Sequence, residues 1–343
     1  MINFKYHYHK RYFIYTHLMK KINKTVLVLL GCLFSLSSYA QDPTFTQFYA
    51  NPIYLNPAFA GSNGCPRFGL NYRNQWPSLS GNYVTYSGSY DQYIKNISGG
   101  IGVLATHDQQ GQGTIQTSML GLVYSYHLKV TRKFSLMFGA QASYFLKSID
   151  ESKLTFGDMI DPKKGFVFTT KDELQNTNTN FFDASAGVVG YSEKIYFGVA
   201  AHHLNQPEQS LIGGDNNSSR LPMRITGHIG TEIEIGKKSR FESNTSIMPN
   251  IIYQYQNGFQ EINFGAYVKY NNFTAGAWYR NNDAFILVFG INTGTFKIGY
   301  SYDLTVSRLN NGTSGGSHEI SLGLNLNCRP KGVTFKTLSC PSF

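Results

Sequence analysis

An all-β fold, closed into an antiparallel barrel that sits in lipid, is what this sequence predicts. Three observations predict it. Charged residues are only 15% of the 343, where an ordinary soluble domain carries about 25%. Aromatics also reach 15%, with 25 Phe and 24 Tyr against 2 Trp, beside 34 Gly. Apolar and polar residues alternate with period two along most of the chain, and no apolar run approaches the ~20 residues of a membrane-spanning helix. So many aromatics exclude a disordered chain.

The first 40 residues read as a leader. Lys20, Lys21 and Lys24 precede a short apolar stretch over 26–36, and Ser38-Tyr39-Ala40 puts small residues at −3 and −1 of a cut before Gln41. The expectation is a secretory signal peptide starting at Met19, with 1–18 an upstream extension. Leu29-Leu30-Gly31-Cys32 resembles a lipid-attachment box, but the apolar run continues past Cys32 and a good cleavage site follows at Ala40. Six of the 30 Lys and Arg lie in this leader and none of the 20 Asp and Glu does. The remainder carries 24 basic against 20 acidic residues, a net +4. That is too weak to argue for a nucleic-acid partner.

Side chains on a strand point to its two faces in turn. Ile320, Leu322, Leu324 and Leu326 alternate with Ser321, Gly323, Asn325 and Asn327. Phe296, Ile298, Tyr300 and Tyr302 alternate with Lys297, Gly299, Ser301 and Asp303. Over 134–147 the even positions are Phe, Leu, Phe, Ala, Ala, Tyr and Leu, and the odd ones Ser, Met, Gly, Gln, Ser, Phe and Lys. The polar face is Gly, Ser, Asn and Gln rather than the Lys and Glu that coat a soluble sandwich. The apolar face ends in aromatics, as the girdles of membrane barrels do. Closure satisfies every backbone hydrogen bond, which lipid demands.

Fourteen strands are predicted, at 66–76, 82–93, 98–108, 114–128, 133–148, 180–190, 194–203, 222–234, 241–254, 259–270, 272–281, 283–292, 294–305 and 317–328. With both termini periplasmic, every even-to-odd connection is short. The three longest connections, 149–179, 204–221 and 306–316, all fall on the extracellular side, as they do in outer-membrane barrels. The domain reading is a periplasmic N-terminal segment over 41–65, a barrel over 66–328 and a basic periplasmic tail over 329–343, all in the outer membrane.

Such a barrel can act through protein partners or serve as a passive porin. Inward candidates Ser135, Gly139, Ser143, Gly299 and Ser301 are small, with scattered charge at Lys147, Lys297 and Asp303. Small residues can open a lumen or admit a plug. An enzyme needs a nucleophile within reach of a base. His127, His202, His203, His228 and His318 are available, but no GxSxG elbow or HExxH motif accompanies them. Alternation would send His202 and His203 to opposite faces, and His318 beside Glu319 reads as a rim residue. No catalytic residue, cofactor or metal site is therefore assigned. Asp158 and Asp161 lack the spaced ligands of a calcium loop, and with Pro162 and Gly165 they read as turn formers. Lys129, Arg132 and Lys133, with Lys237, Lys238 and Arg240, form a basic periplasmic rim that suits lipid phosphate or a partner.

Several motifs together carry a family resemblance. They are Gln41-Asp42-Pro43-Thr44-Phe45-Thr46-Gln47-Phe48-Tyr49, Asn51-Pro52, Leu55-Asn56-Pro57-Ala58-Phe59-Ala60-Gly61 and Asn71-Tyr72-Arg73-Asn74-Gln75-Trp76-Pro77. Tyr86-Ser87, Ser89-Tyr90-Asp91-Gln92 and Leu154-Thr155-Phe156-Gly157-Asp158 follow. The run Gly299-Tyr300-Ser301-Tyr302-Asp303-Leu304-Thr305-Val306-Ser307 comes next, then Gly315-Gly316-Ser317-His318-Glu319-Ile320-Ser321-Leu322 and Cys340-Pro341-Ser342-Phe343. Over essentially all of 41–343 the chain resembles the PorP/SprF family of type IX secretion system membrane proteins of the Bacteroidetes. The resemblance implies an outer-membrane barrel whose partners are other secretion components in the periplasm and outer membrane. It also implies secreted cargo such as gliding adhesins.

Two further sites are predicted. Beyond the leader the chain keeps Cys65, Cys328 and Cys340, an odd number, so at least one stays outside any internal pair. Cys65 precedes the first strand and Cys328 ends the last, and in a closed barrel these strands are neighbours. A bridge of Cys65 with Cys328 is expected, with Cys328 to Cys340 as the rival. The tail carries Arg329, Lys331, Phe335 and Lys336 and closes with Cys340, Pro341, Ser342 and Phe343. Pro341 cannot donate to a strand ladder. The tail is therefore expected to dock the secretion machinery, the alternative being an assembly signal.

Overall fold

The computed structural model describes residues 42–170, 177–192, 194–211, 219–235, 245–307 and 311–326. The leader, the tail over 329–343, Cys328 and Lys237, Lys238 and Arg240 lie outside these residues. From Pro43 onward the chain is one compact unit.

The strands, in chain order, are β1 (Arg67–Gln75), β2 (Tyr83–Ile94), β3 (Gly99–Gln110), β4 (Ile115–Lys129), β5 (Phe134–Ile149), β6 (Ile160–Asp161), β7 (Gly165–Phe166), β8 (Asn178–Ser192), β9 (Ile195–His202), β10 (Arg224–Thr231), β11 (Ile233–Ile235), β12 (Thr245–Gln256), β13 (Phe259–Tyr270), β14 (Phe273–Arg280), β15 (Ala284–Asn292), β16 (Phe296–Thr305) and β17 (Ser317–Asn325). β10 and β11 form one stave interrupted at Glu232, and both pair with β12. β6 and β7 are a small hairpin inside the longest loop. The other staves pair in chain order, and β1 pairs antiparallel with β17, so fourteen staves close into a ring.

The closed antiparallel barrel is the predicted fold, with local shifts. The sixth stave is longer than predicted, and the ninth continues to Gln256, past the predicted 254. All three long connections open at one end of the barrel, hereafter the loop mouth; the opposite end is the turn mouth. One tight loop-mouth turn is Asn257-Gly258, with φ of +46° and +86°, where the left-handed backbone selects Asn-Gly.

The outer wall is a continuous apolar band. Leu122, at the centre of β4, is 63% exposed, and Phe182, Phe289 and Ile298 are likewise exposed. Burial alternates along the central parts of β4 and β8 and along nearly all of β15. No helix among the described residues is long and apolar enough to cross a membrane. Leu122→Arg is expected to destabilise the barrel in phospholipid vesicles by about 2–4 kcal/mol, the cost of a cation at mid-depth on a lipid face. Urea unfolding followed by heat-modifiable gel mobility reads this. An unchanged midpoint would mean that β4 does not face lipid.

Candidate functional site

The segment preceding β1 was expected outside the barrel, in the periplasm. The structure instead folds 43–61 inside the lumen. Phe45, Phe48, Tyr49, Ile53, Leu55 and Phe59 are all buried. Burying each such side chain contributes about 1.5–3 kcal/mol. This segment has nowhere else to hide its aromatics, because the outer wall is a single layer of strands. Two Asn-Pro steps shape it. Asn51-Pro52 opens a one-turn helix, α1 (Pro52–Leu55), and Asn56-Pro57 opens a 3-10 turn over Pro57–Phe59. Pro at the first helical position is pre-set for both. The Asn56 side chain caps the second turn by accepting from Ala58 N at 2.9 Å.

The lumen wall is shaped to this plug. A Cβ on Gly100 would collide with the Ala60 carbonyl, one on Gly139 with the Ala58 backbone, one on Gly187 with the Asn56 side chain and one on Gly299 with the Gln47 side chain. Two of the small inward residues foreseen from sequence, Gly139 and Gly299, are thus seats for the plug. Part of the inner wall is apolar, a departure from the mainly small and polar inward face expected from sequence. Met137, Val189, Ile252, Ile286 and Val288 pack with Phe48, Leu55 and Phe59 in one core, and Leu104 and Val123 pack with Ile53 in another. Phe48 meets Trp278 with ring centroids 5.1 Å apart. β15 is consequently apolar on both faces, because one meets lipid and the other meets plug.

Buried charges clamp both ends of the plug. Near the loop mouth, Thr46 N donates to Glu319 Oε2 at 2.6 Å and Gln47 N to Glu319 Oε1 at 3.2 Å. Thr46 Oγ1 donates to Asp303 Oδ2 at 2.9 Å. Arg73 joins the two carboxylates, reaching Asp303 at 2.8 Å and Glu319 at 3.3 Å, and donates to the Thr46 hydroxyl. Arg280 reaches Asp303 at 3.3 Å and Glu261 at 3.6 Å. Near the turn mouth, Arg67 holds Asp91 through two bonds of 2.8 and 3.0 Å, and Asp91 Oδ2 accepts from Gly61 N at 2.7 Å. Between the clamps, Asn51 donates to Ser87 Oγ at 2.8 Å, and Asn56 Nδ2 donates to the Val188 and Val199 carbonyls at 3.3 and 3.2 Å.

Four of the five candidate histidines are packed or bonded within the lumen, and the fifth lies on the outer wall. His228 meets Asn56 at 3.2 Å and stacks near Phe59, and His127 lies 3.1 Å from the Ala60 carbonyl. His202 and His203 do not face opposite ways: both are buried. β9 ends at His202, and His203 turns inward in a left-handed conformation, φ +59°, with Nδ1 3.0 Å from Asp183. His318 is on the outer wall near the loop mouth, with Nδ1 2.8 Å from the Tyr300 hydroxyl, in keeping with a rim position. Asp161 accepts from Lys163 N and Lys164 N at 2.8 and 2.9 Å, the turn-forming role expected of it.

Among the predicted site residues, Cys65 is disulfide-bonded. Cys328, Cys340 and the tail residues Arg329, Lys331, Phe335, Lys336, Pro341, Ser342 and Phe343 lie outside the described residues. β1 and β17 pair from Arg67 opposite Asn325, and Leu326 N donates to the Pro66 carbonyl at 2.9 Å, so the seam continues toward Cys65. Non-reducing peptide mapping is expected to recover Cys65 joined to Cys328. A Cys65 peptide joined to Cys340 instead would refute that pairing.

The profile of a family described as type IX secretion system membrane protein PorP/SprF matches residues 37–324. A search of curated proteins finds no significant match. Among solved structures, the chain is similar to the Acinetobacter baumannii outer membrane protein Omp33, at 9% identity and a TM-score of 0.40, covering 76% of this chain and 99% of that one. It is similar to a Pseudomonas aeruginosa FadL homologue at 12% identity and a TM-score of 0.43, covering 84% and 100%. It is also similar to a TodX deltaS2S3 mutant, a monoaromatic hydrocarbon channel, at 11% identity and a TM-score of 0.43, covering 79% and 92%.

Proposed function

The chain belongs to the PorP/SprF family of type IX secretion system membrane proteins, and on that premise we propose that it is an outer-membrane barrel serving protein secretion through protein partners. The observation that carries this reading is the extent of the family match, which takes in the plug motifs and reaches to residue 324 in the fourteenth stave. The partners are other secretion components in the periplasm and outer membrane, with secreted cargo such as gliding adhesins delivered to the surface. It acts by binding, without catalysis. The filled lumen supports this reading over a passive porin, since a porin keeps a water-filled path.

Affinity isolation of the full chain from native outer membranes tests the proposal, together with assay of secreted proteins in a deletion strain. Secretion components should co-purify and secretion should fall. Recovery of the barrel alone, with secretion unchanged, would remove the reading. Within the same proposal, the tail over 329–343 docks the machinery. Deleting 340–343 then leaves a folded, heat-modifiable barrel but lowers both secretion and co-purification. A truncated barrel that never reaches the membrane would make the tail an assembly signal instead.

A further inference from the structure

The direction in which 43–61 runs through the lumen carries a consequence for the placement of its first residue. Its carboxyl end is at the turn mouth. Gly61 N is bonded to Asp91, and Asp91 is near the end of β2, just before the turn that leads to β3. Ser125, near the end of β4 at the same mouth, donates to the Ala60 carbonyl at 2.5 Å. The segment then continues directly into β1, which starts at this mouth with Arg67.

Its amino end is at the opposite mouth. Glu319, which receives Thr46 N, is the third residue of β17, immediately after the 306–316 loop. Asp303 is near the end of β16, and Arg280 ends β14. One step earlier, the Tyr54 hydroxyl donates to the Pro43 carbonyl, and Arg224 Nη1 reaches the same hydroxyl at 3.3 Å. The Arg224 guanidinium also lies over the Tyr54 ring, 5.1 Å from its centroid. Arg224 begins β10 opposite His202, which ends β9, so this contact sits where the 203–223 loop leaves the barrel.

We propose that this chain threads its own barrel once, from the loop mouth down to the turn mouth, so that the amino-terminal end of the exported protein is presented at the cell surface. The inference rests on the outer-membrane placement above, in which long loops face outward. It replaces the periplasmic amino terminus that a fourteen-strand count alone suggests. An even number of staves puts the two ends of the barrel wall at one mouth. The plug then returns the chain start to the other.

Epitope insertion in the full chain tests this. One epitope is placed directly after Gln41, and a control epitope between Lys163 and Lys164, in the exposed hairpin of the longest loop. Heat-modifiable mobility verifies folding of each. Antibody binding to the Gln41 epitope is expected to be the same on intact and permeabilised cells, as for the control. Binding only after permeabilisation, with the control bound on intact cells, would overturn the threading proposal alone. A control epitope hidden on intact cells would overturn the outward placement of the long loops, and this proposal with it. Should the Gln41 insertion fail to fold, Pro43→Cys carries the test. It should gain labelling by a membrane-impermeant maleimide on intact cells above that of the unsubstituted chain, and no gain would overturn the proposal.

Discussion

Removal of residues 43–61 is expected to turn a closed barrel into a conducting one. In planar bilayers the full chain should show no steady openings, and the deleted chain should show discrete single-channel steps. The argument is steric. The plug supplies the partner surface for Ile252, Ile286, Val288, Leu104 and Trp278, all of them buried and inward-facing. Without it, those side chains border a space as wide as fourteen staves make it, wide enough for water. The ring itself does not depend on the plug, because its hydrogen bonds run from strand to strand. Gly139→Leu is a milder route to the same end, since even a Cβ there meets the backbone at Pro57 and Ala58. It should produce intermittent openings, because the clamp at Thr46 still holds the amino end. If neither variant conducts, the plug is not what closes the lumen.

The barrel was legible in the sequence because lipid and closure impose a period of two that survives in nearly every stave. Ile320 to Leu326 and Phe296 to Tyr302 show the same alternation in sequence and in burial. The plug was not legible from that signal, having no period. It was hidden among prolines and read as a loop before the first strand. Two signs pointed to it. Phe45, Phe48, Tyr49 and Phe59 are too many aromatics for an exposed segment. Asp303 and Glu319 stand on the inward faces of neighbouring staves, where a buried carboxylate needs a partner. Arg73, on the next stave, supplies the charge, and residues 46 and 47 supply the backbone N–H groups. Such a constellation joins positions more than 200 apart in the chain. Pairing of β1 with β17 brings Arg73 opposite Glu319, a register that local pattern does not reveal. His203 was misplaced for a similar reason: the strand ends one residue earlier, and the alternation rule stops with it.

Arg73→Ala is expected to cost about 3–5 kcal/mol, the usual penalty for removing one member of a buried ion-pair network. Arg73 is 2% exposed and lies between Asp303, 1%, and Glu319, 0%. With the guanidinium gone, Asp303 keeps Arg280 at 3.3 Å, but Glu319 is left with the Thr46 and Gln47 amides and no cation of its own. The upper clamp on the plug then loosens, so limited proteolysis should cut within 43–50 before it cuts the barrel. Arg73→Lys should lose an intermediate amount. A single ammonium cannot reproduce a fork in which Nη2 serves Asp303 while Nη1 serves Glu319 and the Thr46 hydroxyl. Pairing Arg73→Met with Glu319→Gln should recover part of the loss, because it removes a buried anion along with its partner. Urea unfolding of the reconstituted protein measures all three variants. A loss below about 1 kcal/mol for Arg73→Ala is the range of an exposed pair. It would mean that water, and not the plug, already surrounds these carboxylates.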